Sequence, residues 1–379
     1  MRACLPNRSI IWSTRAFWNG PFVERLASIH PETTRRISSM DLLKRKVAVR
    51  CPGWDNDKPT RYFSQPYSFV EGLEWIYRVL INPPRNHCPF EEFVPDNSVI
   101  NTVIPRIKLG FIGDIMILEG MDLRIGEDIR RFFSDTDFLV GNFEGTIVTG
   151  HRKQVFMAQA HTEEILDHLS MLFPPERTVL SCANNHTGDY GWDGFCESYR
   201  RLQDYGFITV GRRDEPSVLI DGKVNIVGCT RWSNQKCEFV ATIDEVDDYF
   251  AGDAEFNILY PHWGYEMQLR PKYHQVLHGR SLLNMWDMII GHHSHCPQPV
   301  ELCETNRNTR LLAYSLGNFC SSENRGDTPI GIILKVDIGP DSNGVWAVGR
   351  MNWEFIYAFL HKKQRCVELE IRRTEPARS

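Results

Sequence analysis

The chain has 379 residues, 42% of them apolar and 24% charged, with a formal net charge of −5. That is globular composition with room for one large domain or two ordinary ones. The mild acidity argues against a dedicated nucleic-acid binder, which would carry a basic stripe, so no nucleic-acid partner is expected.

The eleven cysteines are scattered, odd in number and never spaced as CxxC. This argues against a disulfide framework or a zinc knuckle and fits reduced thiols in a cytoplasmic protein. The opening residues carry arginines but no apolar stretch long enough for a signal sequence. No later segment approaches the roughly 18 uninterrupted apolar residues of a membrane span. A cytoplasmic protein without a membrane segment is the expectation.

Residues 1–105 are rich in Arg, Pro and aromatics without a clear period, and read as an N-terminal extension of unknown role. Within them, FVEGLEWIYRVLINPP (69–84) places Phe69, Leu73, Ile76 and Leu80 near helical spacing, with Pro83 closing a short amphipathic helix. The character changes at RIKLGFIGDIMI (106–117), an apolar strand that delivers Asp114 at its C-terminal end. TDFLVGNFEG (136–145) repeats the pattern with Asn142 and Glu144, and RTVLSCANNHTGDYG (177–191) with Asn184, Asn185 and His186. A helix over 191–206 follows, with Phe195, Tyr199 and Leu202 along one face and Gly206 ending it.

Further strands are expected at 224–229 and at 256–264, the latter carrying His262. A helix over YHQVLHGRSLLNMW precedes the strand DMIIGHHSH (287–295), which carries His292, His293 and His295. Strands at 310–319 and 330–338 complete a domain spanning 106–338. The tail, 339–379, reads as two strands suited to a hairpin packing on it. Alternating strands and helices point to a layered α/β architecture.

Five apolar strands thus end in Asp, Glu, Asn or His. In α/β sheets the carboxyl ends of parallel strands share one edge, so residues distant in sequence can meet there. A mixture of these donors without thiolates suits Mn, Fe or Zn in a catalytic site, and there are enough for two divalent ions sharing a carboxylate. Taken singly, each element has a plain structural reading. A strand-terminal Asp caps a turn, Asn184-Asn185 forms one, and His262 beside Trp263 packs in a core. His274 and His278 lie one helical turn apart, but no Glu follows the first, so they read as packing residues.

The series GDIM, NFEG, ANNHTGDYG, HWGYE, GHHSHCPQ and YSLGNF resembles the capsule-biosynthesis CapA or poly-γ-glutamate synthesis family, a branch of the calcineurin-like metallophosphoesterases. The resemblance covers about residues 106–338, in the family's order. It implies a layered β-sandwich flanked by helices (α-β-β-α) with a dinuclear metal site at the strand ends. Asp114 would bind one metal and Glu144 would bridge both, with Asn142 beside it. Asn185, His262, His295 and one of His292 and His293 would complete the set. His293 is favoured, because His-x-His puts both rings on one side of an extended strand. His186 would be the general acid.

The implied function is a hydrolase of a γ-glutamyl or related capsule polymer, using water activated at the dinuclear centre. The alternatives are a metallophosphoesterase acting on a small phosphoester and a non-catalytic component of a polymer synthesis or export assembly. The partner is thus a polyanionic polymer or a small phosphoester, steered by local cations such as Arg270, Lys272 or Arg325. Two departures from the resemblance are expected. Met116 occupies the place of the His in the Asp-x-His motif of general phosphoesterases, and no counterpart of the membrane anchor usual in capsule-forming members is expected.

Overall fold

Strands whose residues are nearly all apolar must be covered on both faces, and the computed structural model places them so. It describes residues 54, 67–83, 93–148, 150, 157–323, 326 and 328–372. Among these, a ten-stranded and a six-stranded sheet stack face to face. In the larger sheet Ile107–Ile115 lies parallel to Phe138–Phe143, which lies parallel to Thr178–Ser181. On its other side Ile330–Pro340, Trp346–His361 and Cys366–Ile371 continue the sheet antiparallel. Both strands of the tail are therefore members of this sheet. In the smaller sheet Val224–Thr230, Phe256–His262, Met288–Ile290 and Thr309–Ala313 run parallel in that order.

Alternation along each strand separates the core into layers. Ile226, Ile258, Tyr260, Met288 and Ile290 face Leu109, Phe111, Val140 and Val179 between the sheets. Their neighbours Val227, Leu259, Ile289 and Leu312 point the other way, onto Leu283 and Trp286. The outer face of the larger sheet, through Ile112 and Leu139, is covered by Ile165 and Leu169 of helix Glu164–Leu172 and by Phe195 and Leu202 of helix Gly191–Tyr205. With about 1.5–3 kcal/mol for each large apolar side chain buried, two-sided burial of the strands is the dominant favourable term. The architecture is the expected sandwich between helical layers.

Two expected strands are shorter in the structure. The 310–319 run is a strand only over Thr309–Ala313. The chain then crosses through Gly317 (φ 69°) into the other sheet, where Asn318–Cys320 pairs with Ile107–Ile115. The crossing packs Gly317 onto Gly113, where a Cβ would stand 1.8 Å from the Gly317 carbonyl oxygen. The 287–295 run is a strand only over Met288–Ile290 and turns before its last histidines.

A helix over Phe69–Ile76, continued by a wider turn to Ile81, is present and begins with a capping box between Ser68 and Glu71. Its orientation is the reverse of what amphipathicity suggests. Phe69, Leu73, Ile76 and Leu80 are 81%, 53%, 39% and 65% exposed. The helix meets the domain through Glu71, Trp75 and Arg78 instead: Glu71 accepts from the Tyr265 hydroxyl, and Trp75 Nε1 and Arg78 Nε donate to Glu266. No helix among the described residues is long and apolar enough to cross a membrane.

Candidate metal centre

Because the parallel strands of both sheets end at one edge, the side chains just past those ends converge. Asp114 lies near the end of Ile107–Ile115 and pairs in register with Asn142, while Glu144 follows one residue after the strand Phe138–Phe143. Asn185 and His186 lie in the turn after Thr178–Ser181. His262 ends its strand in the second sheet and bridges to His292 beside it. Asp114, Asn142, Glu144, Asn185, His186, His262, His293 and His295 are all buried.

The contacts form one network. Asn142 Nδ2 donates to Asp114 Oδ1 (2.7 Å) and to His262 Nδ1 (3.1 Å), and His262 Nε2 lies 2.9 Å from Asn185 Oδ1. His295 Nδ1 donates to Asn318 Oδ1 (3.0 Å), which turns Nε2 toward Glu144 Oε1 at 3.8 Å. Asp114 Oδ2 accepts from the His293 backbone N–H (3.1 Å). Donor atoms of Asp114, Glu144 and His295 lie within 4.8 Å of one another, and so do those of Glu144, His262 and His293. Glu144 belongs to both groups.

Glu144 is fully buried, yet neither of its carboxylate oxygens has a hydrogen-bond partner. Burial pushes this carboxyl up to about 8. An unpaired buried carboxylate costs several kcal/mol unless a cation meets it. Asn142 Oδ1 and His293 Nδ1 are likewise buried without partners. Buried oxygen and imidazole donors, in two groups that share Glu144 and with several atoms left without partners, are the donor set that a borderline divalent cation takes, so the residues fit such ions.

The electrostatics follow from burial and neighbours. Burial, reinforced by the other histidines, holds His262 and His293 well below the ordinary imidazole range, in the neutral form a metal requires. Burial works against protonation of His186 as well, but the charge and hydrogen bond of Asp189 outweigh it and raise His186. His186 Nδ1 stands 2.7 Å from Asp189 Oδ2, and its Nε2 is 4.0 Å from Glu144 Oε1.

His293 and His295 do not converge by strand alternation. Both adopt positive φ, 92° and 56°, so a left-handed turn rather than an extended strand brings them to the site. His292 belongs to neither donor group. Its ring lies 4.0 Å from that of Tyr260, and its Nδ1 is 4.0 Å from Asp114 Oδ1. His274 and His278 pack beside Tyr265 and Trp263. Lys272 is paired with Glu71 and Glu74, and Arg325 lies outside the described residues. The cysteines at 182, 196, 229, 237, 296, 303, 320 and 366 are free thiols, while Cys4, Cys51 and Cys88 lie outside the described residues.

The sequence profile of the family described as Bacterial capsule synthesis protein PGA_cap matches residues 108–323. The chain belongs to this family. It is 25% identical over 248 residues to the PGA biosynthesis protein CapA of Bacillus subtilis (strain 168), covering 56% of this chain and 63% of that protein. Over 248 residues it is 23% identical to the capsule biosynthesis protein CapA of Bacillus anthracis, covering 56% and 59%. The chain thus spans less than two thirds of these relatives. Among solved structures, a hypothetical protein from Thermus thermophilus superposes with a TM-score of 0.40 at 11% identity, covering 66% of this chain and 98% of that one. That is a loose likeness of chain path.

Several residues at this candidate site escape a reading by strand ends. Asp189 lies three residues after His186 in the same motif, a helical-turn spacing that could have marked it. Asn234 accepts from Asn185 Nδ2 (3.5 Å) and its own Nδ2 lies 3.4 Å from His186 Nδ1, but it comes from a loop with no ligand-like pattern. Asn318, in YSLGNF, reaches His295 only because the chain crosses between sheets. Glu266 groups with His293 and His295. Tyr67, whose hydroxyl lies 2.8 Å from His293 Nε2, comes from the N-terminal region, whose sequence points to no chemistry.

Proposed function

We propose that this protein is a metal-dependent hydrolase that cleaves a γ-glutamyl or related capsule polymer at a centre of two divalent ions, Mn, Fe or Zn. The observation that carries the reading is Glu144, buried, without hydrogen bonds and common to two donor groups. Asp114 and His295 would hold one ion with Glu144, while Asn185, His262 and His293 would hold the other, with Asn142 beside them. Bound ions of this kind supply Lewis acidity and a water nucleophile at neutral pH.

The protein's own part in the reaction is proton delivery and positioning. Asp189 engages His186 at Nδ1 and so leaves Nε2 on the side of Glu144, where a leaving group would receive a proton. Asn234 packs against the ring, its Nδ2 lying 3.4 and 3.5 Å from the two ring nitrogens. A purely structural metal site needs ligands but no oriented proton donor, so the His186–Asp189 pair supports an enzyme over a scaffold. The polymer class follows from the relatives, whose names refer to PGA and capsule biosynthesis.

The test is hydrolysis of γ-polyglutamate and of bis-p-nitrophenyl phosphate by purified protein with Mn, Fe or Zn. Cleavage of the polymer is expected, with His186→Ala slower by about 10²–10⁴-fold at unchanged metal content. Cleavage of the phosphodiester alone would move the substrate to small phosphoesters. If neither is cleaved, and His186→Ala matches wild type throughout, the hydrolase reading fails.

A further inference from the structure

We infer that Glu266 is an additional metal ligand, and that residues 67–81 are a built wall of the metal centre which holds Glu266 and orients His293. This rests on the metal-centre reading above and adds to it a ligand and its supports. The first motif delivers Asp114 alone, because Met116 is buried and offers a thioether, a poor donor for Mn, Fe or Zn. Donor atoms of Glu266, His293 and His295 lie within 4.8 Å of one another. His293 Nδ1 is fully buried and without a hydrogen bond, so the ring of one member of this group keeps an orphaned nitrogen.

Glu266 is carried there by the turn after His262. Gly264 (φ 83°) and Met267 (φ 59°) bend the chain back, and the Met267 N–H donates to the Ser294 carbonyl (2.8 Å). That bond clamps the Glu266 turn against the loop bearing His293 and His295. The N-terminal helix then closes over it. Trp75 Nε1 donates to Glu266 Oε2, and Arg78 Nε donates to the Glu266 carbonyl (3.0 Å). The Tyr67 hydroxyl lies 2.8 Å from His293 Nε2 and accepts from the Glu266 backbone N–H (3.4 Å). One hydroxyl thus ties the two ligands together and occupies the Nε2 of His293, leaving Nδ1 as the nitrogen available to a cation. Ligating histidines are commonly fixed through their second nitrogen in this way. The Tyr67 ring is itself held edge-on against Trp232, with centroids 5.1 Å apart, and beside Tyr265 at 5.4 Å.

Glu266 is therefore a ligand and Tyr67 a positioning residue, and the two roles separate experimentally. Mn²⁺ binding to the full chain is measured by titration calorimetry for wild type, Glu266→Gln, Tyr67→Phe and Phe69→Ser. Each variant's metal-free unfolding midpoint is compared with wild type to confirm folding. The Co²⁺-loaded proteins are compared by visible absorption. Glu266→Gln and Tyr67→Phe should each bind Mn²⁺ about 10–100-fold more weakly, and only Glu266→Gln should change the Co²⁺ band pattern. Phe69→Ser, on the outward face of the same helix, should bind like wild type. Wild-type binding with equal affinity in Glu266→Gln and Tyr67→Phe would overturn this inference and leave the metal centre standing. No binding by wild type would remove the metal centre and this inference with it.

Discussion

Glu144 sits with His262 Nε2 at 3.8 Å, His295 Nε2 at 3.8 Å and His186 Nε2 at 4.0 Å, yet it bonds to none of them. Folding has placed an acid where only a cation can satisfy it. Glu144→Gln keeps the volume and removes the charge. It should therefore lose bound metal while leaving the metal-free protein at least as stable as wild type, since burial disfavours the ionised form of this carboxyl in the folded protein. Elemental analysis together with metal-free unfolding midpoints checks both halves. A variant that keeps its metal, or whose metal-free form unfolds well below wild type, contradicts the assignment. Asp114→Ala and His295→Ala should also lose metal, because each removes a donor from the group containing Glu144.

At the scale of elements, the strand Ile107–Ile115 delivers Asp114 only because the chain passing through Gly317 packs against it, where the Asp114 N–H donates to the Gly317 carbonyl (2.9 Å). Gly113→Ala would drive a Cβ into that carbonyl. It should destabilise the fold by about 3 kcal/mol or more and weaken metal binding by displacing Asp114. A thermal midpoint like that of wild type would count against this account of the crossing. The same elements explain what was legible in the sequence. Asp114, Asn142, Glu144 and His262 stand at or just past the ends of apolar parallel strands, so hydrophobic pattern and sheet topology together locate them. Asn318 and Glu266 reach the site through turns after such strands, and His293 and His295 through left-handed backbone. None of these paths leaves a periodic trace. Tyr67 is harder still, because it precedes a helix that turns its polar face to the domain and its apolar face outward, against the hydrophobic pattern.

For the whole molecule, the two sheets share one core, and Tyr260 of the smaller sheet donates through its hydroxyl to the Ile112 carbonyl of the larger (2.6 Å). The candidate ligands come from both sheets, so an ion bound among them would tie the sheets together at their common edge. Metal should therefore stabilise the fold as a whole, by about 2.7 kcal/mol at a concentration near 100 times its Kd. Calorimetric scans with Mn²⁺ and with a chelator should show a higher midpoint in Mn²⁺ for wild type and a smaller difference for Asp114→Ala, which removes a donor of one ion. Equal midpoints in wild type would place the ligands elsewhere. The most direct measurement is anomalous diffraction from crystals loaded with Mn²⁺. We predict two peaks flanking Glu144, one against Asp114 and His295 and the other against Asn185, His262 and His293. A map with no anomalous peak beside Glu144 would contradict the central claim.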